Sequence, residues 1–131
     1  MIVSRLNSAD VEAHWPLFEP HFEGFAESSH GEMTVDDLRR MVSDRTRQCW
    51  VAIDEPEVRA VALTEVLTGG VWLDFCSGIG RDDWAKTLVE KIKEFAHEQG
   101  KPLKIFCRPG WARWLKKEFG FRETHRFLEE I

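Results

Sequence analysis

The sequence predicts an α+β or α/β fold, a mixed central sheet flanked by helices on both faces, and three observations carry that prediction. The first is the stretch 71–121, which reads as strand, turn, long amphipathic helix, strand, short helix and a Gly-Phe stop. Its apolar positions Trp84, Leu88, Ile92 and Phe95, with Val89 and Ala96 beside them, recur every three or four residues and line one stripe. A helix of that length between the apolar runs 71–77 and 103–107 implies a right-handed crossover joining parallel strands. The second observation is a pair of strand-like runs, 49–53 and 58–67, around Asp54-Glu55-Pro56-Glu57, a hairpin turn in which proline supplies its fixed φ. The third is a pair of helical stripes ahead of that hairpin.

In order along the chain, IVSRL at residues 2–6 suggests a first strand. Ser8 or Asp10 then starts a helix that runs through Val11, Trp15, Leu17, Phe18 and Phe22. Pro16 and Pro20 interrupt it, so it is bent, broken or two short pieces, because proline removes a helix hydrogen bond. The segment 24–32 reads as a loop. Thr34 caps a second helix with Asp36 and Asp37 in its first turn, a favourable match to the helix dipole, and Val35, Leu38, Met41 and Val42 form its apolar stripe. The run VRAVALTEVL alternates imperfectly, as expected of a central strand with both faces partly covered, and Gly69-Gly70 ends it. The long helix spans 83–99, with Asp82 or Asp83 as its cap and Gly100 just past its end, where a left-handed residue closes a helix.

A chain of 131 residues, 43% hydrophobic and 31% charged, has room for one domain with one core, residues 1–131. It has no run of about 18 apolar residues to span a membrane, and Met1-Ile2-Val3-Ser4 lacks the basic and apolar regions of a signal peptide, so the expected compartment is the cytoplasm. Cys49, Cys76 and Cys107 all fall in predicted strands and read as reduced core residues. The net charge of −5 is divided: residues 1–70 hold 13 acidic and 6 basic side chains, residues 71–131 hold 10 and 12. An acidic whole without a Lys/Arg run argues against general nucleic-acid binding. His14 and His21 share a helix face with Phe18, but the sequence offers no third and fourth ligand for a metal; His30, beside Gly31 in a loop, is the better functional candidate.

From about residue 48 to 131, the order strand, loop, helix, strand, short helix, Gly-Phe resembles the core of the GNAT superfamily of N-acyltransferases. Ala112 stands where that family often has Ala, Leu115 lies four residues before Phe119-Gly120, and Gly120-Phe121 close the pattern. The resemblance implies a sheet of six or seven strands and transfer of an acyl group from acetyl-CoA to an amine on a small molecule or a protein. Aligning Leu88-Val89 with the family's paired aliphatics places Gly80-Arg81-Asp82-Asp83-Trp84-Ala85 on the pyrophosphate-binding loop R/Q-x-x-G-x-G/A, where only Ala85 fits. Glycines in that loop let backbone N–H groups approach the diphosphate at a helix N-terminus, and a carboxylate at Asp83 repels it. The position of the family's frequent proton-donating Tyr is Lys116 here, Pro109 replaces a frequent Asn, and the chain has no Tyr.

What the resemblance implies for the site is a list of candidates. The main chain of Phe75, Cys76 and Ser77 matches the strand that pairs with pantetheine, and Arg81, Ala85 and Lys86 are the further cofactor-binding candidates on the loop and first turn. Glu65, the one carboxylate inside the long strand, or Asp74 on the next is the candidate base for the amine. Lys116 is the candidate partner of the departing thiolate. The basic cluster Arg113, Lys116, Lys117, Arg122 and Arg126 suits a CoA phosphate or is a solvated helix face. Two functional readings follow. One is a divergent acyl-CoA-dependent N-acyltransferase. The other is a non-enzymatic binding or assembly module that has lost its cofactor and meets a protein partner or a second copy, for which six Trp and nine Phe, Trp111 and Trp114 above all, supply the aromatic surface.

Overall fold

The structure, a computed structural model, describes residues 1–78 and 80–124. Five strands lie side by side in chain order: β1 (Ile2–Leu6), β2 (Arg47–Asp54), β3 (Glu57–Leu67), β4 (Gly70–Gly78) and β5 (Leu103–Ile105). The helices are α1 (Ser8–Ala13), α2 (Trp15–Ser28), α3 (Val35–Ser43), α4 (Arg81–Glu98) and α5 (Pro109–Phe119). Strands β1 to β4 pair antiparallel, and β4 pairs β5 in parallel through Val71–Leu103, Trp72–Lys104 and Leu73–Ile105, with α4 as the crossover between them. The expected βαβ unit is therefore present. Its sheet has five strands among the described residues, not six or seven. Residues 121–124 form no strand, and residues 125–131 fall outside the described chain.

Each face of the sheet carries its own core. On one, Val11, Trp15, Phe18, Phe22, Phe25, Leu38 and Val42 of α1 to α3 pack on Cys49, Val51, Val61 and Leu63. On the other, Trp84, Ala85, Leu88 and Ile92 of α4 pack on Val3, Trp50, Ala52, Ala60, Ala62 and Leu73. Cys49 is buried, and burial pushes its thiol up to about 12. Cys76 and Cys107 do not follow. Both are exposed, and Cys107 lies beyond the end of β5, because that strand stops at Ile105 once it has lost its partner.

The first helical run breaks at His14, which closes α1 and opens α2. Pro16 then takes the second position of α2, where its missing N–H costs nothing. Beyond it the helix continues through Pro20 and Gly24 to Ser28, where a loop from 24 onward was expected. Burial decides this. Trp15, Phe18, Phe22 and Phe25 recur at helical spacing and are all buried. Each contributes about 1.5–3 kcal/mol, enough together to offset the ~3 kcal/mol of an interior proline and the ~1 kcal/mol of an interior glycine. In α3 the expected cap forms as a reciprocal box: the Asp37 N–H donates to Thr34 Oγ1 at 3.0 Å and the Thr34 N–H to Asp37 Oδ2 at 3.0 Å. In α4 it does not: the helix starts two residues early, at Arg81 after a left-handed Gly80, and Asp82 and Asp83 stand in its first turn without capping it.

Candidate active site

Arg47 opens β2 and is drawn inside by register. It lies directly across from Glu65 in the β2–β3 ladder, on the face covered by α2 and α3. A guanidinium that is only 5% exposed needs anionic partners. It has two: both oxygens of Asp74 accept from Arg47, at 2.7 and 3.0 Å, and Glu65 Oε2 lies 3.2 Å from Arg47 Nη2. The same guanidinium sits 5.2 Å from the ring centre of Phe75. Among the described residues, Arg47 Nε is buried with no hydrogen-bond partner. Asp74 reaches Arg47 because β4 is bulged there. Leu63 pairs with Phe75 and Thr64 with Leu73, so Asp74 is the extra residue, and a bulge re-aims a side chain. One cation and two anions leave the cluster one net negative charge. Asp74 has both oxygens engaged, whereas Glu65 uses one.

Past the bulge, β4 is paired on one side only among the described residues. Its ladder with β5 ends at Leu73–Ile105, and one further bond, Phe106 N–H to Leu73 C=O at 3.0 Å, closes it. Residues 75–77 keep their β3 partners but have no ladder partner on the β5 side. Phe75 packs on Phe25 with ring centres 5.5 Å apart, and Ser77 Oγ lies 3.1 Å from His21 Nδ1 of α2. Cys76, between them, is exposed. Burial lowers the pKa of His21 below the usual imidazole value, partly opposed by its hydrogen bond to the backbone of Val58. Burial thus favours the uncharged ring, which has Ser77 on one side and the backbone of Val58 on the other.

The residues aligned with a phosphate loop are helical instead. Trp84 and Ala85 are buried in the sheet-facing stripe of α4, at 2% and 1% exposure, so Ala85 offers no surface to a ligand. Lys86 is exposed on the outer side. Arg81 turns toward α5, lying 5.4 and 5.7 Å from the ring centres of Trp111 and Trp114. Those two rings are half-buried and meet each other edge to face at 5.5 Å. The N–H of Asp83 donates to the carbonyl of Gly80 at 3.0 Å, and Arg59 stands 3.4 Å from the carboxylates of both Asp83 and Asp54. Lys116 is exposed and 3.8 Å from Glu123. Arg113, Lys117 and Arg122 are exposed, and Arg126 lies outside the described residues.

The chain thus gathers Glu65, Asp74 and Phe75 around Arg47 and sets Ser77 against His21, whereas Arg81 faces α5, Ala85 is buried in the stripe of α4, and Lys86 and Lys116 are exposed. An acetyl-CoA molecule meets two different environments. The bulged, one-sided β4 edge fits a pantetheine arm, whose amides need backbone partners. The start of α4, with two carboxylates and its glycine covered by Arg59, does not fit a diphosphate. No local sequence signal marks Arg47, the His21–Ser77 pair or Arg59 as part of a site. Among the described residues, no group of three or more His, Cys, Asp or Glu is placed to hold a metal ion, and no helix is long and apolar enough to cross a membrane. His14 and His30 are both exposed.

No protein-family model and no curated protein sequence matches the chain. Solved structures do. A ribosomal-protein-alanine N-acetyltransferase from Brucella melitensis biovar Abortus superposes with a TM-score of 0.71 at 14% identity, covering 100% of both chains. An aminoglycoside acetyltransferase from an uncultured soil metagenomic sample gives 0.72 at 14%, covering 99% of this chain and 95% of that one. An aminoglycoside N-acetyltransferase in complex with CoA gives 0.67 at 14%, covering 99% and 93%. Likeness at this identity establishes the fold: the chain has the GNAT-like fold, in its five-stranded described part.

Proposed function

We propose that the protein is an N-acyltransferase that holds a pantetheine-borne thioester along the open edge of β4 and delivers its acyl group to an amine drawn in by Glu65 and Asp74. The observation that carries this is the conjunction of the bulge at Asp74, the one-sided backbone at 75–77 and two carboxylates beside them. The fold shared with acetyltransferases supports the same reading.

A bound thioester supplies the acyl carbon. The chain's own residues do the rest. Backbone N–H and C=O groups of 75–77 pair with the amides of the arm, which demands no particular side chain. Arg47 fixes Asp74 in the bulge and leaves the pair of carboxylates with one uncompensated negative charge, a match for one ammonium. Glu65, with one oxygen free of Arg47, takes one proton from the bound ammonium so that its nitrogen can attack, and the second N–H proton lost as the amide forms goes to the departing thiolate. The net transfer forms a carbon–nitrogen bond, breaks the carbon–sulfur bond and releases one thiol. The acceptor is a cationic amine, small or on a protein.

Thiol release from acetyl-pantetheine and acetyl-CoA against a panel of primary amines tests this. We expect amine-dependent release, and a fall of roughly a hundredfold or more in the Glu65→Gln variant, the loss typical of a general base. Equal rates in parent and variant would remove Glu65 from the reaction. Absence of amine-dependent release from either donor would overturn the acyltransferase reading itself.

A further inference from the structure

Strands β4 and β5 are parallel, and β4 leads into α4 as β5 leads into α5. Both helices therefore start at the same end of the sheet, and whatever lies along the open edge of β4 leaves the cleft between their first turns. Aromatic rings occupy the space between those first turns. Trp84, fourth in α4, meets Trp111, third in α5, with ring centres 6.2 Å apart, and Arg81 caps Trp111 and Trp114 at 5.4 and 5.7 Å.

Beside the exit, the start of α4 offers a diphosphate almost nothing. A Cβ placed on Gly80 would lie 2.7 Å from Arg59 Nη2, so the guanidinium already rests where a phosphate would approach the glycine. Arg59 is in turn held between Asp54 and Asp83, and Asp82 adds a second carboxylate to the same turn. Asp54, Asp82 and Asp83 outnumber Arg59 and Arg81 by one, so the turn keeps a net negative charge that disfavours a diphosphate, and the guanidinium nearest the glycine is already engaged by carboxylates.

We infer that the acyl donor is a pantetheine thioester that ends short of a nucleotide diphosphate: its arm lies along β4, and no adenosine diphosphate follows it out between α4 and α5. This rests on the reading of the β4 edge given above and goes further by naming the donor class. Such a thioester exists free or as the prosthetic arm of a carrier protein, where a single phosphodiester replaces the nucleotide.

Calorimetric titration of the full chain with three unreactive ketone analogues tests the inference: S-acetonyl-pantetheine, S-acetonyl-CoA and a carrier protein whose arm bears the same acetonyl group. We expect the pantetheine analogue to bind more tightly than the CoA analogue by roughly tenfold or more, the weight of one unfavourable charge contact near a surface. Tighter binding still by the carrier protein assigns the donor to a prosthetic arm; equal or weaker binding assigns it to a free thioester. Binding of the CoA analogue as tight as or tighter than the others overturns the inference while leaving the acyltransferase reading intact. No binding by any of the three overturns both.

Discussion

His21 is held half inside the protein, where its ring meets Ser77 on one side and the backbone of Val58 on the other. Burial lowers its pKa from 6.5, so the folded state binds this proton less well than the unfolded chain does. The sign follows: the contribution is fully present above pH 6.5 and is lost as pH falls through the folded value. The lowered carboxyls, Glu12 beside Arg39 and Asp37 in its capping box, act below 4.5 and 3.8, so the His21 window lies above theirs. Melting temperatures between about pH 7 and 5 should therefore decline in the parent and decline less in His21→Gln. Parallel slopes would assign the decline to other groups. His21 was legible only as a histidine on an apolar helix face, since its partner lies 56 residues away. Glu65 and Asp74 were easier, because a carboxylate inside an apolar strand announces itself. Arg47 was not, because an arginine just after Asp44-Arg45-Thr46 looks like part of a solvated turn, and only the register across from Glu65 takes it inside.

Elements whose signals are local were read correctly, and those decided by packing were not. The Thr34 box and the α4 stripe sit within a few residues of what they specify. The continuation of α2 through Pro20 and Gly24 depends on a sheet face, formed by residues far along the chain, that rewards burying Phe22 and Phe25. The start of α4 is a third case, set by steric fit at Gly78. A Cβ there would lie 2.6 Å from Ala60 Cβ, 2.7 Å from Trp84 Cζ2 and 2.8 Å from the carbonyl oxygen of Arg59. Two of these atoms belong to the sheet and the third to a buried indole, so none yields easily. Gly78 lets α4 close tightly on β3, and that closeness keeps the connection down to two positions. Gly78→Ala should cost about 1–3 kcal/mol, the range for an extra methyl group in a packed core, measured by urea denaturation. A change below a few tenths of a kcal/mol would mean that Trp84 is free to move, and with it the plug between α4 and α5.

At the scale of the whole molecule, the sheet is well built from β1 to β4 and thinly attached beyond. Its mixed character was legible because a long helix between two apolar runs admits few topologies; the number of strands was not, because it rested on the resemblance and on no local signal. Among the described residues, β2 and β3 are paired on both sides and covered on both faces. The last strand has three parallel pairs and no fully buried residue, and α5 buries only Leu115. Its other apolar residues, Trp111, Trp114 and Phe119, are half-buried and meet one another edge to face. Such contacts are worth about 0.5–1.5 kcal/mol each beyond their buried area, well short of what a fully covered strand contributes. The antiparallel part should thus stay closed while β5 and α5 open as a unit, since a region with few buried contacts opens at a fraction of the global unfolding free energy. Because β5 is the strand next to β4 and its ladder stops at Leu73–Ile105, the same opening would lengthen the edge of β4 that a ligand arm can reach. Native-state hydrogen exchange reads this directly: amides of Val61 and Val51 should exchange only through global unfolding, and those of Ile105 and Leu115 much sooner and at a common free energy. Protection at Leu115 equal to that at Val61 would mean that this part is as rigid as the sheet, and that a donor arm reaches residues 75–77 without its opening.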